Sequence, residues 1–105
     1  MRLTGKAEKD FFKWFQSKSQ THYRLKEWFE DLEDSMKYGV YVDFFESVGI
    51  KIVIDMDFEN EVYNKFVLYI EYKKHCFCNY GMNFKTRQEA RTEGIKKANE
   101  IYNLR

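Results

Sequence analysis

A chain of 105 residues has room for one hydrophobic core and not two, and its 44% hydrophobic and 33% charged residues fit a folded domain rather than a disordered or membrane-embedded one. The net charge of +1 argues against tight sequence-independent nucleic-acid binding, which depends on many cations set against phosphates. No apolar run approaches the roughly 18 residues that cross a bilayer, and Met1–Asp10 lacks the apolar segment of a signal peptide, so the expectation is a cytoplasmic protein with no membrane partner.

Leu3–Gln16 reads as a first helix, with Thr4 as its cap and Ala7, Phe11, Trp14 and Phe15 forming an aromatic stripe at helical spacing. After the polar connection Ser17–Thr21, the residues Leu25, Trp28, Phe29 and Leu32 repeat that spacing in a short helix, His22–Leu32. Its other face carries Glu27, Glu30, Asp31 and Glu33. Asp34 or Ser35 caps a third helix, Met36–Val48, whose apolar positions Met36, Val40, Phe44 and Val48 recur every four residues. Gly49 supplies the left-handed stop.

Beyond Gly49 the period shortens to two. Ile50, Ile52, Ile54, Met56 and Phe58 alternate with Lys51, Val53, Asp55 and Asp57, the pattern of a strand buried on one face. A loop over Glu59–Lys65 leads to a second strand, in which Phe66, Leu68, Ile70 and Tyr72 alternate with Val67, Tyr69, Glu71 and Lys73. The Lys73–Lys74 connection permits a tight hairpin into a third strand, His75–Phe84, with Gly81 marking a bulge or close approach. Three strands with short links make an antiparallel meander.

The clearest local signal closes the chain. Thr86 stands at a helix N-cap, Glu89 completes a capping box, and Ala90, Gly94, Ala98 and Ile101 line one face, with Ile95 and Tyr102 beside them. Small residues over the first two turns let the helix axis approach a sheet closely, and Gly94, which costs about 1 kcal/mol in helix propensity, requires something packed against it. The expected architecture is an α+β domain: N-terminal helices, a three-stranded antiparallel meander and a C-terminal helix across the sheet. Helices on one side leave the other side of the sheet carrying Val53, Val67 and Tyr69. To these the third strand adds either Cys76, Cys78 and Tyr80, or Phe77 and its neighbours. Either an early helix wraps round to cover that face, or it is an interface.

Chemistry-bearing clusters are few. His75, Cys76 and Cys78 fall short of the four ligands and the spacing of a zinc site, and two cysteines one residue apart on a strand are poorly placed for a mutual disulfide. His75 falls on the opposite sheet face from Cys76, which leaves a cysteine nucleophile without its base. The acidic run Glu27–Asp34 lacks calcium-loop spacing and reads as a solvated helix face. No phosphate loop, nucleophile elbow or metal-binding helix motif occurs, so neither catalytic residues nor a cofactor is expected. Charge is nonetheless segregated: residues 73–105 hold eight Lys/Arg against three Asp/Glu, and residues 49–72 hold two against five. Within the basic end, Lys85, Arg87 and Arg91 surround the start of the last helix, where free N–H groups and the helix dipole favour an anion.

The order helix, meander, capped helix, with the segment Thr86-Arg87-Gln88-Glu89-Ala90-Arg91, resembles the C-terminal half of a double-stranded RNA-binding domain, whose last helix opens with a Ser/Lys/Lys-x-Ala-Lys pattern. Gln88 stands where that family places a basic residue. The loop Glu59–Lys65 lacks the Pro and His that enter the RNA minor groove. The whole chain also resembles small bacteriophage- and prophage-encoded proteins through Leu3-Thr4-Gly5-Lys6-Ala7, Ser35-Met36-Lys37-Tyr38-Gly39-Val40-Tyr41-Val42-Asp43-Phe44-Phe45 and Thr86-Arg87-Gln88-Glu89-Ala90. That resemblance implies phage biology, in which compact single-domain proteins act by binding a host or defence component. With no catalytic set, a near-neutral charge and surplus aromatic surface, the expected function is an accessory protein acting by protein–protein binding, on such a component or on itself, with Val53, Val67 and Tyr69 as the candidate interface. The alternatives are a duplex nucleic-acid module using Lys85, Arg87 and Arg91, and an enzyme whose site the sequence does not reveal.

Overall fold

The computed structural model describes residues 1–18, 25–57, 65–78 and 84–105. Four helices, α1 (Gly5–Lys18), α2 (Leu25–Glu30), α3 (Asp34–Ser47) and α4 (Arg87–Asn103), accompany three strands, β1 (Ile50–Asp57), β2 (Lys65–Tyr72) and β3 (His75–Cys78). The strands form an antiparallel sheet in the order β1-β2-β3, with Ile52 opposite Ile70, Ile54 opposite Leu68, and Tyr72 opposite His75 across the two-residue reversal at Lys73–Lys74. This is the expected α+β architecture. Of the expected third strand, His75–Cys78 is described as β3, residues 79–83 lie outside the described residues, and Phe84 forms an isolated bridge to Phe66. Gly81 and Phe58, like the start of the expected second helix at His22, lie outside the described residues.

Thr86 caps α4 as expected, its hydroxyl accepting from Glu89 N at 3.1 Å. The reciprocal bond differs by one position, because the Glu89 carboxylate accepts from Lys85 N at 3.2 Å and not from Thr86. Ala90, Gly94, Ala98, Ile95 and Tyr102 are buried, and a Cβ at Gly94 would stand 3.1 Å from both Ile52 Cγ2 and Leu68 Cδ1. The small stripe therefore presses directly on β1 and β2.

Two details of α3 depart from expectation. Its N-cap is Glu33, with no side-chain hydrogen bond, while Asp34 accepts instead from Gln88 Nε2 of α4 at 3.4 Å. Its buried residues are Tyr41, Phe44 and Phe45, and Met36 is 58% exposed. Strict four-residue steps overshoot the helical turn by about 40° each, so Met36 has rotated out of the stripe that Phe44 occupies. At the other end Gly49 takes φ +87°, the left-handed stop expected of it, and Arg105 donates from Nη2 to Val48 O at 2.9 Å.

The layers follow from these faces. α3 and α4 lie on one side of the sheet, and α1 packs on both of them. Behind them sits an aromatic cluster centred on Phe11, fully buried, with ring centroids of Tyr41 at 4.9 Å, Phe29 at 5.0 Å and Phe44 at 5.5 Å. Such offset and edge-on pairs add about 0.5–1.5 kcal/mol each beyond burial. α2, which ends at Glu30 and not at the expected Leu32, contributes Phe29 to this cluster and leaves Trp28 56% exposed against Phe15.

The junction of α1 and α4 is built from two asparagines one turn apart. Asn99 accepts from Thr4 N and donates to Thr4 Oγ1, both at 2.9 Å. Asn103 accepts from Ala7 N at 2.8 Å and donates to Thr4 O at 2.9 Å. Free N–H groups at the start of α1 are thus satisfied from another helix. The Thr4 hydroxyl, expected as the cap of α1, instead receives Asn99. Gly5 permits the approach: it has φ +62°, and a Cβ there would meet Asn103 Nδ2 at 3.0 Å.

Candidate interaction surface

Strand alternation divides the sheet into two unlike faces. Ile50, Ile52, Leu68 and Ile70 are buried beneath α3 and α4, with Ile54, Phe66 and Tyr72 packed against the same core. On the opposite face, residues fall in rows set by the register. Lys51 lies opposite Glu71 and Glu71 opposite Cys76; Val53 opposite Tyr69 and Tyr69 opposite Cys78; Asp55 opposite Val67. Val53, Val67 and Tyr69 are half-buried, while Lys51, Asp55, Glu71 and Cys76 are exposed. For the alternative left open by the sequence for β3, the register pairs Cys76 with Glu71 and Cys78 with Tyr69, while Phe77 pairs with Ile70; Tyr80 lies outside the described residues.

The other alternative, an early helix wrapping round the sheet, is not what α1 and α2 do. α1 packs on α3 and α4, and α2 joins the aromatic cluster behind them. The cause is the aromatic content of both helices: Phe11, Phe15 and Phe29 find one another at centroid distances of 5.0–5.6 Å, which anchors both helices away from the Val53 face. Among the described residues, the helix contacts with the sheet come chiefly from α3 and α4.

The basic residues at the start of α4 take two different positions. Arg87 and Arg91, one turn apart, reach over rings of neighbouring elements, Arg87 over Phe66 of β2 with its guanidinium carbon 5.5 Å from the centroid and Arg91 over Tyr38 of α3 at 4.9 Å. Cation–π contacts of this kind hold a guanidinium while leaving its N–H groups available at the edge. Burial pushes the Tyr38 hydroxyl pKa up, and the Arg91 charge pulls it partly back. Lys85 is exposed, and its backbone N–H is engaged by Glu89, which places a carboxylate at the helix entry beside the three cations.

His75 and Cys76 are exposed on β3, and among the described residues no group of three or more His, Cys, Asp or Glu side chains stands close enough to hold a metal ion. Among those residues, too, no helix is long and apolar enough to cross a membrane. Sequence reading missed two features. One is the Asn99–Asn103 pair, whose only signal is two poor helix formers spaced by four on α4. The other is an open groove of about 740 Å³ on the outer side of α1, lined by Lys6, Lys9, Lys13 and Phe12 together with Lys26 of α2. Its signal was the three-and-four spacing of the α1 lysines. Two of these cations are engaged within the fold: Lys26 Nζ lies 3.7 Å from Glu8 Oε1 and 5.4 Å from the Phe12 centroid, and Lys6 Nζ lies 5.8 Å from the Tyr102 centroid.

Set against known proteins, the chain matches no family model, no curated protein and no solved structure.

Proposed function

We propose that this is a small accessory protein of the phage type that works by protein–protein contact, with a second copy of itself as the partner and the sheet as the contact element. The observation that supports this reading is the one-sided sheet: two helices bury Ile52 and Leu68, while Val53, Val67 and Tyr69 stay half-exposed on the far face between exposed residues of both charge signs. Mixed apolar and complementary charged positions suit a two-fold contact between identical surfaces. Sedimentation velocity from low micromolar to submillimolar concentration tests it. A concentration-dependent dimer is the expected result, and a strict monomer throughout that range rejects self-association.

One observation favours a second reading, binding of duplex nucleic acid. Arg87 and Arg91 are already held one turn apart over Phe66 and Tyr38 at the positive end of α4. On that reading affinity falls steeply with salt, and Arg87→Ala or Arg91→Ala each lowers the salt slope by about 1. Absence of salt-sensitive duplex binding at low ionic strength removes it.

A further inference from the structure

β1 is an edge strand, and two hydrogen bonds fix which of its peptide groups face outward. Phe66 N donates to Phe84 O at 3.0 Å, so the even-numbered residues of β2 turn their peptide groups toward the β3 side. The odd-numbered residues Val67, Tyr69 and Glu71 therefore bond to β1 through their partners Asp55, Val53 and Lys51. That leaves the N–H and C=O groups of Ile50, Ile52, Ile54 and Met56 directed at the open edge. Met56 agrees with this parity, because its N–H is taken by the Asp55 side chain at 3.0 Å and not by β2. Among the described residues no other main chain pairs with that edge.

We propose that β1 pairs with β1 of a second copy, antiparallel about a two-fold axis at Val53, which joins the two sheets into one of six strands. The proposal rests on the self-association reading above and names its register. A two-fold pairing that keeps Ile50, Ile52 and Ile54 of both copies on the helix side needs its axis through a residue, not between two. With the axis at Ile52, Lys51 falls opposite Val53. With the axis at Ile54, Asp55 falls opposite Val53. Of these registers, only that centred on Val53 sets Lys51 against Asp55, twice, with Ile52 against Ile54 and Val53 against itself.

The hydrogen-bond parity agrees with that register. Ile52 and Ile54, whose peptide groups point outward, exchange main-chain hydrogen bonds across the axis. Lys51 and Asp55, both exposed, then fall in the closer non-hydrogen-bonded positions, where Cα atoms approach to about 4.5 Å and opposite charges act most strongly. Charged residues on an edge strand ordinarily deter pairing. Here they stand symmetrically, two positions either side of Val53, so that the same charges admit one register and reject its neighbours. The half-exposed rows of Val53 and Tyr69 from the two copies become one continuous stripe across the dimer.

Charge reversal with mixing tests the register. Lys51→Asp places carboxylates at both positions of a dimer, and Asp55→Lys places ammonium groups at both, so each variant alone is expected to associate at least about tenfold more weakly than the unchanged chain. Mixed together, the carboxylates of one variant face the lysines of the other, and native mass spectrometry is expected to show the heterodimer restored. Lys51 also lies opposite Glu71 in its own sheet, so circular dichroism must show that Lys51→Asp is folded. Hydrogen exchange on the unchanged chain gives a readout free of mutation: the amides of Ile52 and Ile54 should exchange more slowly as concentration rises. An unchanged chain that dimerises while Asp55→Lys dimerises equally well, or while those two amides ignore concentration, overturns this register and leaves self-association standing. A chain that stays monomeric at submillimolar concentration overturns both.

Discussion

Gly94→Ala puts a methyl group where α4 presses on the sheet, and its consequence can be worked from two opposing effects. Replacing a mid-helix glycine by alanine favours the folded state by about 1 kcal/mol through helix propensity. Against this, the new Cβ lies 3.1 Å from Ile52 Cγ2 and from Leu68 Cδ1, side chains on two different strands that are themselves 7% and 1% exposed. Both contacts must open by a few tenths of an ångström at once in a packed interior, an overpacking cost of about 2 kcal/mol. The expected net is a loss of about 1 kcal/mol. Leu68→Ala alone removes a buried side chain and costs about 3 kcal/mol. In the double variant the methyl at position 94 enters the space that Leu68 vacates, so the combined loss falls short of the sum by about 1 kcal/mol or more. Urea denaturation followed by circular dichroism measures all three chains. Additivity within about 0.3 kcal/mol, or a Gly94→Ala chain stabilised by the full propensity gain, would refute the close packing of α4 on β1 and β2.

Asn99→Leu leaves Thr4 N without its acceptor at a half-buried junction and should cost about 2 kcal/mol, with faster amide exchange at Thr4 as the specific sign. Burial, reinforced by the Glu30 and Glu8 charges, pushes the Tyr41 pKa up to about 12 from 10.0; burial together with the hydrogen bond that Tyr102 donates to Asp10 does the same for Tyr102. Between those values the unfolded chain has lost phenolic protons that the folded chain keeps. Stability is therefore full below pH 10 and falls as pH rises toward 12. Tyr41→Phe should flatten the fall in urea midpoint over that window, and an unchanged slope would exclude Tyr41 as its source. Lys73 holds φ +57° in the reversal between β2 and β3, so Lys73→Gly should raise the denaturation midpoint by the equivalent of about 0.5 kcal/mol, whereas Lys73→Val should lower it.

Local pattern alone determined the sheet and the helix that crosses it. Alternation from Ile50 to Tyr72 set which residues face the core, because a strand has a period of two and a slip of one residue reverses every side chain. Thr86 and Gly49 marked helix ends by backbone chemistry that acts within a few residues, and Ala90, Gly94 and Ala98 declared a close approach before its target was known. The face of α3 was misread toward Met36 because four-residue spacing only approximates a 3.6-residue turn, and the position of the Phe11 cluster settles which stripe is buried.

Only the tertiary structure decided how the remaining polar and aromatic groups are partnered. Asn99 and Asn103 look like poor helix formers until α1 arrives with Thr4 N and Ala7 N unsatisfied, a match between residues more than ninety positions apart. The side of the sheet on which α1 and α2 settle was likewise undetermined by their own sequence, since an aromatic stripe states that a helix will be buried but not against what. Mutual packing of Phe11, Phe15 and Phe29 drew both helices behind α3 and α4 and left Val53, Val67 and Tyr69 half-exposed. Which strand lies at an edge, and which of its peptide groups point outward, depends on pairing between distant segments. It is that pairing which places Lys51, Val53 and Asp55 on an edge strand of the described sheet.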